Sequence, residues 1–147
     1  MNVEPATMTD QSATIALWQK AGLTRPWNDP TEDFARAVRN EQSGVMLARE
    51  GDQLLGSVMV GDDGHRGWMY YLAVADDSRR RGIGSALVAA AEPWLRERGQ
   101  SRVRLMVRTD NLPTVAFYTA LGYADQECVV LGRTMEATTN EGARRHL

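Results

Sequence analysis

One stretch limits the possible folds more than any other. Trp68 to Val74 is an unbroken apolar and aromatic run with no charge on either alternating face, which predicts a strand in the interior of a sheet. The acidic turn Asp76-Asp77-Ser78 follows it, then Arg79-Arg80-Arg81-Gly82-Ile83-Gly84. A helix then extends to about Arg98, with Leu87, Ala91, Trp94 and Leu95 on one face and Gly99 as its stop. Beyond it Val103 to Val107 reads as a further strand. Strand, crossover helix and strand make a right-handed parallel pair inside a mixed sheet. Pro93 removes a hydrogen bond to the carbonyl of Ala89 and predicts a kink or a helix in two segments.

The flanking residues supply the other elements. Val3 to Ala6 reads as a short strand. Thr9 or Asp10 caps a helix with Ile15, Trp18 and Gly22 three and four apart, and Thr31 caps a second helix to about Arg39. Between them Arg25-Pro26-Trp27-Asn28-Asp29-Pro30 holds two prolines and reads as a loop. Val45 to Glu50 and Leu54 to Val60 read as a hairpin about Gly51-Asp52, and the glycine-rich turn 61–67 leads into the Trp68 strand. Leu112 to Leu121 predicts a helix ending at Gly122, and Cys128 to Gly132 a last, buried strand. The order is β-αα-ββ-β-α-β-α-β, an α/β chain built on a mixed, mostly antiparallel sheet flanked by helices. Residues 1–137 are expected to form one domain, with a polar tail over 138–147 that frays.

A chain of 147 residues, 43% hydrophobic and 24% charged, suits one such domain. No run approaches the ~20 apolar residues of a membrane span, and no early segment pairs a basic start with an apolar stretch, so a cytoplasmic protein without a membrane partner is expected. The net charge of −2 weighs against a nucleic-acid partner. Lys20 is the only lysine, so the cationic sites present the planar, permanently charged forks of arginine. The single cysteine, Cys128, has no internal partner and reads as a core residue.

The arginine-glycine segment carries the chemistry. The first turn of a helix offers unpaired amides and the positive end of the macrodipole, and glycines remove the side chains that keep a pyrophosphate away. Arginines add charge-assisted hydrogen bonds to phosphate. A Walker loop needs Gly-Lys-Ser/Thr, which is absent, and a dinucleotide fingerprint needs glycine at 87, which is leucine.

Arg79-x-x-Gly82-x-Gly84 resembles the Arg/Gln-x-x-Gly-x-Gly/Ala signature of the GNAT superfamily of acyl-CoA-dependent N-acyltransferases. Asn111, then Ala116-Phe117-Tyr118 and Leu121-Gly122-Tyr123, resemble a second set of that family's positions, and the resemblance covers roughly residues 45–133. Arg-Pro-Trp-Asn-Asp-Pro and Asp-Gly-His-Arg-Gly are further similar to a small bacterial subgroup, the YpeA type. The resemblance implies acetyl-CoA as cosubstrate, no metal, and an amine acceptor, and it leaves a homodimer open. It gives the pantetheine arm to the backbone of Leu72, Ala73 and Val74. The pyrophosphate falls to the amides from about Arg80 through Arg81, Gly82, Ile83 and Gly84 to Ser85, and the outer phosphates to Arg79 or Arg80. Asn111 takes a pantetheine amide, and Tyr118 stands near the thioester sulfur as general acid.

Direct attack needs a neutral amine, a stabilised carbonyl oxygen and a proton for the thiolate. Transfer from a phenol of pKa ~10 to a thiolate of pKa ~8.5 is uphill by roughly 2 kcal/mol, so Tyr118 acts partly as a hydrogen-bond donor. The strand 68–74 lacks the glutamate that many family members use as base. His65 and Asp63, with Asp62, are the candidates for base or water relay, and Tyr70 or Tyr71 for holding a water. Trp27, Asn28 and Asp29, with Asp62 and Tyr70, are candidates for the acceptor pocket, since an aromatic and a carboxylate suit a cationic amine. An N-acetyltransferase and a non-catalytic acyl-CoA-binding sensor both fit.

Overall fold

A computed structural model describes residues 1–135; the tail 138–147 lies outside the described residues. The described residues divide into two compact units, Met1–Asn111 and one that begins at Leu112.

The first unit is built on a five-stranded sheet in the order β1 (Asn2–Pro5), β2 (Ser43–Glu50), β3 (Gln53–Asp62), β4 (Gly67–Val74) and β5 (Val103–Arg104). The first three pairings are antiparallel, and β4 with β5 is parallel. This is the mixed, mostly antiparallel sheet that the run from Trp68 to Val107 requires. Helices α1 (Gln11–Lys20) and α2 (Pro30–Arg39) cover one face, where Trp18, Phe34, Leu47 and Val45 are fully buried. Burial of each such side chain contributes on the order of 2 kcal/mol. Helix α3 (Ile83–Glu97) covers the other face. A Cβ on Gly56 would stand 2.8 Å from the Ala73 carbonyl oxygen and 3.0 Å from Ile83 and Leu87, and one on Gly67 would stand 2.9 Å from Leu95. Two glycines in the sheet therefore set how closely α3 approaches.

Three local expectations are corrected. Helix α2 is capped by Asp29 rather than Thr31: its side chain accepts from the N–H of Thr31 at 3.0 Å and of Glu32 at 3.4 Å. Pro30 suits the first helical position because it lacks the N–H that would go unpaired there. Helix α3 is one element through Pro93 rather than two segments; Pro93 and Ala89 are both exposed, so water can serve the carbonyl that proline leaves without a donor. Only Val103 and Arg104 of the run to Val107 pair with β4.

The second unit holds α4 (Leu112–Ala120), which stops at Gly122, where φ is +94°. The buried strand expected from Cys128 to Gly132 is absent. Val129, Val130 and Leu131 are 85%, 68% and 89% exposed, and Cys128 is exposed rather than a core cysteine. Strand propensity measures fit to a packed, pleated neighbour, and no ladder includes these residues. Among the described residues no helix is long and apolar enough to cross a membrane.

Candidate acyl-CoA site

The site grows from the end of β4. Pairing with β5 stops at Trp68 opposite Arg104, so β4 continues to Val74 with no partner strand along that edge among the described residues. On its other edge β4 is bulged. Tyr70 lies opposite Met59 and Ala73 opposite Ser57, so Tyr71 and Leu72 together face the single residue Val58. Tyr71 carries the strain, with φ +50°, a region bulky L side chains rarely enter. Sheet alternation puts Tyr70, with Met59, and Ala73, with Ser57, on the α1/α2 face, and Val74, with Gly56, on the α3 face.

A short 3-10 turn, Asp76–Ser78, carries the chain from β4 to Gly82, the N-cap of α3, in the left-handed region at φ +74°. Nothing lies within 4 Å of a Cβ placed on Gly82, so glycine is needed there for conformation and the space before it is open. The amides of Ile83, Gly84 and Ser85 begin a fifteen-residue helix with no acidic residue in its first turn, and they face the positive end of the macrodipole. This cradle fits a pyrophosphate. Leu72–Val74 and Arg79–Ser85 thus lie on either side of one short turn.

The three arginines are not equivalent. Arg79 pairs with Asp76 at 3.3 Å and Arg81 with Glu50, both at the surface. Arg80, with φ +65°, forms no ion pair among the described residues and is exposed. It is the guanidinium most available to a phosphate.

The other candidates are placed less simply. The turn holding Asp62, Asp63 and His65 precedes β4, and Gly82 follows it. A strand advances ~3.3 Å per residue, which puts the turn roughly 23 Å from Val74. Asp63 is heavily engaged: its carboxylate accepts from the N–H of Arg66 at 2.6 Å, the N–H of His65 at 2.8 Å and the Trp68 indole at 3.0 Å. These bonds, led by that from Arg66, hold its pKa below the usual carboxylate range. Asp62 accepts from Gly64 and from the side chain of Gln100. Trp68 stacks beside Tyr70 at 6.3 Å, and desolvation, with the charge of Asp63, pushes the Tyr70 phenol up. Trp27 is 67% exposed and lies under the Arg108 guanidinium at 5.5 Å, while the carboxylate of Asp29 is the α2 cap. The Tyr71 hydroxyl is committed to Asp33 at 2.7 Å. Asp33, Trp18 and Ser57, which surround Tyr71, were not signalled by any motif.

In the second unit Tyr118 is buried, edge-on to Phe117 at 5.0 Å and to Tyr123 at 5.5 Å. Desolvation, then the nearby Tyr123, drives its phenol pKa upward, so it stays protonated at any ordinary working pH.

The sequence pattern of the acetyltransferase (GNAT) family matches residues 7–123. The chain belongs to the GNAT family. An acetyltransferase of Pectobacterium atrosepticum is 39% identical over 135 residues, 92% of this chain and 96% of that one. Among solved structures, the aminoglycoside acetyltransferase AAC(6′)-Iy in complex with a CoA-acetylneamine bisubstrate analogue matches with a TM-score of 0.79 at 16% identity, covering 91% of this chain and 97% of the other. An acetyltransferase of Clostridium acetobutylicum with acetyl-CoA matches with a TM-score of 0.73 at 19% identity, over 89% and 95%. At these identities the two structures show the GNAT fold. Family and relatives together make this GNAT protein an acetyl-CoA-dependent acyltransferase.

Proposed function

We propose that this protein transfers the acetyl group of acetyl-CoA to a primary amine, on a small molecule or as an exposed peptide amino group, by direct attack without an acyl-enzyme. One observation carries the reading: β4 loses its partner strand after Trp68 and leads, with its edge open, to the left-handed Gly82 that opens α3. An open strand edge offers amides and carbonyls to the pantetheine arm. The first-turn amides and Arg80 serve the phosphates, and Asn111 serves the pantetheine amide.

For the chemistry, Tyr118 is proposed to donate to the departing thiolate. A pKa raised above that of free tyrosine makes full proton transfer costlier than the ~2 kcal/mol reckoned for an unperturbed phenol, so its contribution is a hydrogen bond that strengthens as charge grows on sulfur, with water delivering the proton. The amine's proton leaves by water. Asp63 is a weak candidate for base because three hydrogen bonds already engage its carboxylate and its pKa is depressed, which leaves His65 to end a relay that passes Tyr70. Trp27, Asn28, Asp62 and Tyr70 are proposed to face the acceptor, with Asp29 acting through the α2 cap.

The test is CoA release from acetyl-CoA over a panel of polyamines, aminoglycosides, amino acids and peptide N-termini, followed by mass spectrometry of the product. An amine gaining one acetyl group supports the proposal. CoA binding by calorimetry without release on any amine would reassign the protein as a non-catalytic acyl-CoA-binding sensor.

A further inference from the structure

Tyr71 sits where a bulky side chain is least at ease, at φ +50° in the middle of a strand, and groups from three elements converge on it. From α1, the Trp18 ring stacks on the Tyr71 ring at 4.0 Å and 13°. From α2, Asp33 accepts the Tyr71 hydroxyl at 2.7 Å. From β3, the Ser57 hydroxyl donates to the Tyr71 carbonyl at 3.2 Å while accepting from the Trp18 indole N–H at 2.9 Å. Trp18 and Ser57 are both fully buried.

The chain Trp18 N–H to Ser57 hydroxyl to Tyr71 carbonyl has a fixed direction, because an indole N–H can only donate. Ser57 therefore has one proton left, and it goes to the carbonyl that the bulge takes out of register with β3. Relaxing Tyr71 to ordinary extended geometry would break the stack, the phenol bond and the relay together.

We infer that Trp18, Ser57, Tyr71 and Asp33 form a clamp that fixes the β4 bulge, and so sets the register of the open edge at Leu72–Val74. They are positioning residues. The inference rests on the proposal that the acyl-pantetheine arm lies along that edge. Loosening the clamp misplaces the acyl end and leaves the phosphate end, built by α3, unaffected.

The experiment uses Ser57→Ala and Tyr71→Phe in the full chain, assayed at a temperature where circular dichroism shows both folded. Readouts are kcat with the best acceptor, affinity for CoA, and affinity for adenosine 3′,5′-bisphosphate, which lacks the pantetheine arm. A misplacement of the reacting atoms predicts that kcat falls roughly 10- to 100-fold, with bisphosphate affinity within twofold of the parent. Trp18→Phe cuts the same relay, so Trp18→Phe/Ser57→Ala is expected to lose no more kcat than Ser57→Ala alone. Should both single variants fold and keep kcat within twofold, or should the double loss be the product of the single losses, the clamp is refuted. A parent protein that binds no CoA fails the proposed function instead, which separates the two.

Discussion

Gly82 offers the sharpest test of the phosphate cradle because its structural and functional costs separate. A Cβ there meets nothing within 4 Å, so Gly82→Ala incurs no clash. It does hold a left-handed φ of +74°, which costs an L residue about 1–2 kcal/mol, offset by about 0.4–1 kcal/mol from a less flexible unfolded chain. The net loss is near 1 kcal/mol, or ~3 °C in Tm for a chain of this size. Gly82→Glu bears the same backbone cost and sets a carboxylate against the pyrophosphate. At ~4 Å and an effective dielectric of ~20 the repulsion is about 4 kcal/mol; solvent exposure and salt reduce it to roughly 1.4–2 kcal/mol, a 10- to 30-fold loss of CoA affinity. Calorimetric titration with CoA reads this directly. Gly99, beyond the other end of α3, is also left-handed at φ +87° with nothing within 4 Å, so Gly99→Glu supplies the matched control. Equal affinity losses for the two, or a folded Gly82→Glu that binds CoA like the parent, would refute the cradle.

Arg80→Ala is expected to weaken CoA binding about tenfold and to flatten its salt dependence. Arg81→Ala should cost less because Glu50 already holds that guanidinium; titrations at two salt concentrations check both. Tyr118→Phe keeps the ring against Phe117 and Tyr123 and removes one donor, so kcat should drop roughly 10- to 100-fold with little change in Tm, and kcat within twofold of the parent when chemistry limits would reduce Tyr118 to packing. Asp63 has a folded pKa below its unfolded value near 3.8, so its contribution is present above that pH and lost as pH falls through the lower folded value. Asp63→Asn should therefore be less stable than the parent at pH 6, with the gap narrowing once pH falls below 3.8; a gap as wide at about pH 2 as at pH 6 in denaturant titrations would disprove the linkage.

Most of the fold was legible because pattern and packing agree. The run Trp68 to Val74 reads as interior, and it pairs with β3 along its length and with β5 at Trp68; Gly99 and Gly122 adopt the positive φ that helix C-termini favour. The misreadings come from information that a local window does not contain. Cys128 to Leu131 has the composition of a core strand, but composition says nothing of whether a neighbour is there to pair with it. Thr31 has the side chain of a cap, but Pro30 suits the first helical position and moves the cap back to Asp29.

The site divides the same way. Its phosphate end is local, since glycine, arginine and a helix start are consecutive in sequence, and the two ion pairs that single out Arg80 need only the fold to be seen. The clamp inferred to set the acyl end draws on α1, α2 and β3, through contacts such as Trp18 to Ser57 across thirty-nine residues, and no spacing rule joins these positions. Even so, Ser57 is the one hydroxyl in the otherwise apolar run from Leu54 to Val60, and it is fully buried. A buried hydroxyl without partners costs more than the alanine that would replace it. Its presence there implies partners, and the structure names them as the indole of Trp18 and the carbonyl of the strained residue. Where a sequence prefers extended geometry and the fold imposes the left-handed region, the difference must be met by surrounding contacts. At Tyr71 those contacts come from three elements and hold the stretch of β4 that leads to the cradle.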